Sequence, residues 1–87
     1  MIMKYRYVER YLYKGQRVEV YLDGEAKVLM MDITNFRKYR EEKPCDYYGG
    51  KVKISPAHLK VPHNGFWYIV VESPVKKETI HYTVSIY

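Results

Sequence analysis

The chain has 87 residues, which is enough for one domain but leaves no room for a deep cleft between two lobes. Apolar residues make up 47% of the composition, so a folded domain is expected, and no run of about 18 apolar residues predicts a membrane span. The net charge of +5 favours an anionic partner, although ten acidic residues are mixed with the fifteen basic ones. Any site must therefore be a shallow pocket, a groove lined by loops, or an interface between subunits.

Two features of the sequence bear on the cellular compartment. Residues 1–10 mix charged and apolar side chains, unlike the apolar stretch of a secretion signal. The single cysteine, Cys45, has no partner for an internal disulfide. We therefore expect a cytoplasmic protein.

The first predicted strand runs from about Met3 to Tyr13 and is rich in tyrosine. Four of its tyrosines have odd numbers and so share one face: Tyr5, Tyr7, Tyr11 and Tyr13. We expect that face to be partly buried. The alternative is an exposed ladder that forms an oligomer interface or a ligand wall.

The next strands show two different patterns. Arg17 to Leu22 alternates apolar and polar residues, which is typical of a half-buried strand. Lys27 to Met31 is a nearly continuous apolar run, which suits a central strand that is buried on both faces.

Residues 32–40 depart from the strand pattern. Ile33, Phe36 and Tyr39 recur at threefold spacing, Asp32 is a good N-cap, and Pro44 follows the segment. The pattern predicts a short helix over about 32–40, and we expect it to close an open end of the sheets.

The remaining predicted strands alternate with turn signals at intervals of about ten residues. They lie around Val52 and Ile54, around Leu59 and Val61, and over 66–71 and 79–87, and the run over 66–71 predicts a second central strand. The fold class is therefore all-β. We expect a single β-sandwich over residues 1–87, with seven or eight short, mostly antiparallel strands and one short helix.

The segment between the helix and the following strand combines aromatic, amide, glycine and basic residues. Aromatic rings stack on planar ligands, glycines let a backbone approach an anion closely, and basic side chains attract phosphate. These features predict a binding site composed of Asn35, Phe36, Arg37, Tyr39, Tyr47, Tyr48, Gly49, Gly50, Lys51 and Ser55. The alternative remains open that the double glycine is only a strand end with a tight turn, and that Asn35 only bonds a loop.

Other residue types give weaker signals. The only tryptophan, Trp67, lies in the most apolar strand and is expected in the core. The three histidines lack the paired spacing of a metal site, and no local signature makes Cys45 a nucleophile. We expect no metal, no cofactor, no catalytic residue and no enzymatic activity.

Several blocks of this sequence resemble one small bacterial family, catalogued as domain of unknown function 1883. The blocks are residues 29–39, Tyr47 to Gly50, Ser55-Pro56, Val61-Pro62 and Gly65 to Tyr68. The resemblance covers nearly the whole chain and implies a β-sandwich. It also implies an association with TIR domains, which cleave NAD and in bacteria make nucleotide-derived defence signals.

Four functions are compatible with these observations. We expect a pocket that senses or sequesters a small anionic, nucleotide-like ligand, in a protein that forms a homo-oligomer. The first alternative is a module that docks a TIR-type or other defence protein. Nucleic-acid binding is less favoured because the charge is mixed rather than striped, and an enzyme lacks a recognisable motif.

Overall fold

The computed structural model describes residues 5–72 and 81–87 as two antiparallel sheets and one helix. The strands are β1 (Tyr5–Leu12), β2 (Arg17–Leu22), β3 (Ala26–Met31), β4 (Tyr48–Val52), β5 (Ala57–Lys60), β6 (Gly65–Glu72) and β7 (Tyr82–Ile86), and the helix is α1 (Ile33–Arg40). One sheet has the order β1-β6-β3-β4, and the other has the order β5-β2-β7. The predicted all-β fold class is confirmed. Parts of two predicted strands, residues 3–4 and 79–80, lie outside the described residues.

The space between the sheets holds the larger core. Side chains of alternating parity enter it, as the period of two requires. Val18 and Val20 of β2 face Met30 of β3 and Ile69 of β6 across this space, and all four are fully buried. Burying one such side chain contributes about 1.5–3 kcal/mol, so this layer supplies most of the hydrophobic stabilisation.

The central strands β3 and β6 are buried on both faces, as their continuous apolar runs predict. Opposite the inter-sheet core lies a second cluster on the outer face of the four-stranded sheet. Its strand residues are Leu29, Met31, Tyr68 and Val70. The four-stranded sheet therefore needs a cover on its outer side.

Helix α1 is that cover, so it does not close an open end of the sheets as the sequence suggested. Asp32 caps it as predicted, because its Oδ1 accepts a hydrogen bond from the Asn35 backbone N–H at 2.9 Å. Phe36 is buried and stacks on Tyr68, with ring centroids 4.2 Å apart and planes inclined by 7°. Because β3 and β6 carry apolar residues at both odd and even positions, each face of the sheet must be covered. The second sheet covers one face, and the helix covers the other.

The tyrosines of β1 divide between covered and exposed positions. Tyr5 is half-buried and contacts the ring of Tyr39 from the helix. Tyr11, exposed by 49%, meets Phe66 edge-on at 5.1 Å, and Tyr13 is exposed by 58%. The expected partly buried face is therefore present only where the helix reaches the strand.

No helix among the described residues is long and apolar enough to cross a membrane.

Candidate functional site

A cavity of about 450 Å³ lies where β3 ends and α1 begins. Its lining combines three parts of the chain that strand pairing brings together. The lining residues are Met31, Asp32, Asn35, Asp46, Tyr47, Tyr48, His63 and Trp67. Antiparallel pairing sets Tyr48 of β4 opposite Met30, and Tyr68 of β6 opposite Met31. The register of the sheet thus places Trp67 and Tyr48 beside the start of the helix.

One side of the cavity is held together by hydrogen bonds of the Asn35 side-chain amide. The side-chain nitrogen of Asn35 donates to Asp32 Oδ1 at 3.0 Å, and its Oδ1 accepts from the Asp46 backbone N–H at 2.9 Å. Asn35 therefore fixes the loop after the helix to the N-cap at the start of the helix. The hydrogen bonds show the alternative role predicted for Asn35, which is to bond a loop. Asn35 also lines the cavity.

The opposite side of the cavity is aromatic. Trp67 is only 2% exposed, and its Nε1 donates to the His63 backbone carbonyl at 3.0 Å. The rings of His63 and Tyr48 lie 4.8 Å and 6.0 Å from Trp67, centroid to centroid. The buried indole therefore supports the exposed rings of His63 and Tyr48, which are the ring surfaces that a planar molecule could contact on this side.

Two tyrosines on the cavity wall remain open to solvent. Tyr47 is 47% exposed and Tyr48 is 50% exposed, although both line the cavity. Exposed rings next to a hollow have unfilled faces that a ligand can cover. Of the ten predicted site residues, the structure brings Asn35, Tyr47 and Tyr48 together here.

The other aromatic residues of the predicted site lie away from the cavity lining. Phe36 is buried under the helix, so its ring offers no open face. The Tyr39 hydroxyl donates to Glu72 Oε2 at 2.5 Å. Burial and this carboxylate raise the pKa of Tyr39 well above its usual range, so the phenol stays protonated. Both rings belong to the interface between the helix and the sheet.

The double glycine and Ser55 have structural roles in strand pairing and backbone hydrogen bonding. Gly49 and Gly50 lie inside β4 and pair with Leu29 and Val28 of β3. A Cβ on Gly49 would lie 2.1 Å from the Val28 carbonyl oxygen, so this glycine permits a close approach of two strands. The Ser55 hydroxyl accepts a hydrogen bond from the Leu22 backbone N–H at 2.8 Å.

The basic side chains of the predicted site also lie away from the cavity lining. Arg37 is exposed on the helix. Lys51 lies 3.9 Å from Glu25 in an exposed ion pair. Neither lines the cavity, whose described lining instead includes Asp32 and Asp46.

Sequence reasoning missed much of this wall. Trp67 was expected in the core, and it is buried, but it is also one of the residues that line the cavity. His63, Asp32 and Asp46 were not assigned to the site. The turn at 62–65 next to an aromatic strand was the available signal, but only the strand register shows that it meets the helix.

The groups that carry chemistry near the cavity are few. Burial raises the pKa of the Cys45 thiol, and the neighbouring Asp46 adds to that effect, so the thiolate is disfavoured. Within residues 5–72 and 81–87, no group of three or more His, Cys, Asp and Glu side chains is arranged to hold a metal ion. The arrangement suits binding through ring contacts and hydrogen bonds.

The fold and cavity define a class of protein: a small two-sheet sandwich with a helix on one outer face and an aromatic hollow at the helix start. The chain belongs to the family described as domain of unknown function DUF1883, whose model matches residues 3–86. No curated protein and no solved structure gives a significant match to it.

Proposed function

We propose that this protein is a non-enzymatic, cytoplasmic binding domain that captures a nucleotide-derived small molecule in the cavity at the start of α1. The observation that carries the proposal is the pair of half-exposed rings, Tyr47 and Tyr48, on the wall of a hollow of about 450 Å³. Its volume falls in the range of about 300–1,000 Å³ that is common for small-molecule pockets, and its wall combines aromatic rings with polar groups that could orient a ligand.

The wall chemistry favours capture over catalysis. Burial raises the pKa of the Cys45 thiol, which disfavours its thiolate, and the Asn35 side chain already bonds Asp32 and Asp46. Capture needs only tight binding and slow release. The TIR association that the family resemblance implies makes a nucleotide-derived defence signal a suitable ligand, which the protein would sense or sequester.

The experiment is calorimetry with cyclic ADP-ribose and with cyclic dinucleotides. We expect binding to at least one compound, with the ligand recovered intact by mass spectrometry after the protein is denatured. Because base–aromatic stacking contributes about 1–3 kcal/mol per ring, Tyr47→Ala or Tyr48→Ala should weaken binding by about 5- to 150-fold.

The matched control is Tyr87→Ala, since Tyr87 is a similarly exposed tyrosine that does not line the cavity. That variant should bind as the parent does. An equal loss of affinity in Tyr87→Ala and Tyr48→Ala would contradict the assignment of the site. Conversion of the ligand to a product would contradict the non-enzymatic mechanism.

A second candidate function is favoured by the exposed aromatic surface at the far end of β1. Tyr11, Tyr13 and Phe66 are each about half exposed, and Tyr11 contacts both of the other rings at 5.1–5.4 Å. A contiguous aromatic surface of this kind is suited to a protein partner, either a TIR-type protein or a second copy in a homo-oligomer.

Sedimentation of the double variant Tyr11→Ser and Phe66→Ser, alone and mixed with a purified TIR-domain protein, tests this function. Unchanged association would rule out this surface.

A further inference from the structure

The electrostatic character of the cavity is opposite to that of the whole chain. The chain carries +5, yet the residues that line the described cavity include two aspartates and neither lysine nor arginine. Asp32 Oδ1 accepts two hydrogen bonds from Asn35, and no hydrogen bond within the described residues involves Asp32 Oδ2 or the Asp46 carboxylate. The wall therefore includes two acidic side chains with no lysine or arginine to balance them, and its donors include the side chains of His63, Tyr47 and Tyr48.

Carboxylates and rings select a particular ligand chemistry. An ionised carboxylate only accepts hydrogen bonds, so it pairs with amino, ring N–H or hydroxyl donors. It repels a phosphate, which is also an acceptor and carries the same sign of charge. Aromatic faces favour planar rings and cations. The wall thus matches a donor-rich planar ring that is neutral or positively charged.

The basic residues that would attract phosphate lie outside the lining. Lys51 is exposed and paired with Glu25, and Arg37 is exposed on the helix. A phosphate placed inside the cavity would meet Asp32 and Asp46, whereas a phosphate at the mouth can remain in water. The interior of the cavity therefore suits the base of a nucleotide, and the mouth suits its phosphate.

We propose that the cavity recognises the nucleoside end of its ligand, with the base against the rings and its amino or sugar hydroxyl donors on the carboxylates, while phosphate stays outside. This inference rests on the proposed function, because it concerns the orientation and class of the ligand captured at that site. It predicts that removing phosphate leaves most of the affinity intact.

The test compares adenosine, guanosine and cytidine with their 5′-monophosphates, with cyclic ADP-ribose and cyclic dinucleotides included in the same calorimetric series. At least one nucleoside should bind within about threefold of its monophosphate, because the wall includes no lysine or arginine for the phosphate to contact. For the same reason, raising NaCl from about 50 to about 500 mM should change the dissociation constant of that monophosphate by less than about twofold.

Asp46→Asn gives the second arm, because it keeps the shape and the backbone N–H that bonds Asn35. The variant should weaken nucleoside binding by about 3- to 10-fold through loss of a charged acceptor. Glu25→Gln is the matched control, since it removes a similar exposed charge outside the cavity lining and should change nothing.

The outcomes separate the two proposals. If nucleotides bind, nucleosides do not, and Asp46→Asn tightens nucleotide binding, then phosphate enters the cavity and this inference is overturned, while small-molecule capture stands. If no compound in the series binds, the proposed function fails and the inference fails with it. Nucleoside binding that Asp46→Asn weakens and Glu25→Gln leaves unchanged supports both.

Discussion

Gly49→Ala tests whether the double glycine is needed by the sheet rather than by a ligand. Gly49 has φ of +111° and Gly50 has φ of +149°, so a side chain at either position is strained, at a cost of about 1–3 kcal/mol. Only at Gly49 does a Cβ also collide with backbone, at 2.1 Å from the Val28 carbonyl oxygen. At Gly50 a Cβ meets nothing within 4 Å.

The expected magnitude follows from this difference. Forcing β3 and β4 apart adds an overpacking cost of about 1–3 kcal/mol, so Gly49→Ala should lose about 2–6 kcal/mol of unfolding free energy. A domain of 87 residues has about 4–13 kcal/mol in total, so the variant should be marginally folded. Gly50→Ala should lose only the backbone strain and remain folded.

Urea denaturation followed by far-ultraviolet circular dichroism measures both variants against the parent. Gly15→Ala is a further control, since Gly15 has φ of +91° and open space around it. The reasoning is refuted if Gly49→Ala and Gly50→Ala differ by less than about 0.5 kcal/mol, which is the ordinary effect of a surface substitution.

Three further predictions concern the framework of the cavity. Asn35→Ala should cost about 0.5–1.5 kcal/mol, because it removes the exposed hydrogen bond to the Asp46 backbone N–H, and thermal unfolding measures the loss. Ser55→Ala should cost about 1 kcal/mol through its bond to the Leu22 N–H and leave ligand affinity unchanged in calorimetry; a large change in affinity would place Ser55 in the site after all. Because burial raises the pKa of Cys45, its alkylation by iodoacetamide at pH 8 should be slower in the folded chain than in urea and should accelerate as the pH rises above the usual thiol range. Equal rates in both states would contradict that shift.

Much of the fold was predictable because it depends on local patterns. The alternation in β2 marks a strand with one buried face, and Asp32 marks the start of the helix. The predicted position of the helix, at an open end of the sheets, was wrong, since a threefold apolar pattern shows that one side is covered without showing what covers it. The apolar residues on both parities of β3 and β6 did contain that information.

The cavity was less predictable because it is assembled across strands. Asn35, Tyr47 and Tyr48 lie close together in sequence, in an irregular segment of the kind that often carries binding sites. Trp67 and His63 reach the cavity only through the pairing of β6 with β3, and no local pattern fixes that register. Phe36 illustrates the converse, because nearness in sequence did not show which side of the helix would face the sheet.

The two-sided burial of β6 means that neighbouring residues along one strand support different layers. Ile69 belongs to the sandwich interior, whereas Val70 supports the cluster under the helix. Partial unfolding can therefore release α1 while both sheets persist, in the manner of a local cooperative unit. Because Asp32 and Asn35 leave with that helix, the hollow would disappear before the sandwich does. Hydrogen exchange in α1 should accordingly report how much of the population is able to bind, separately from how much is folded.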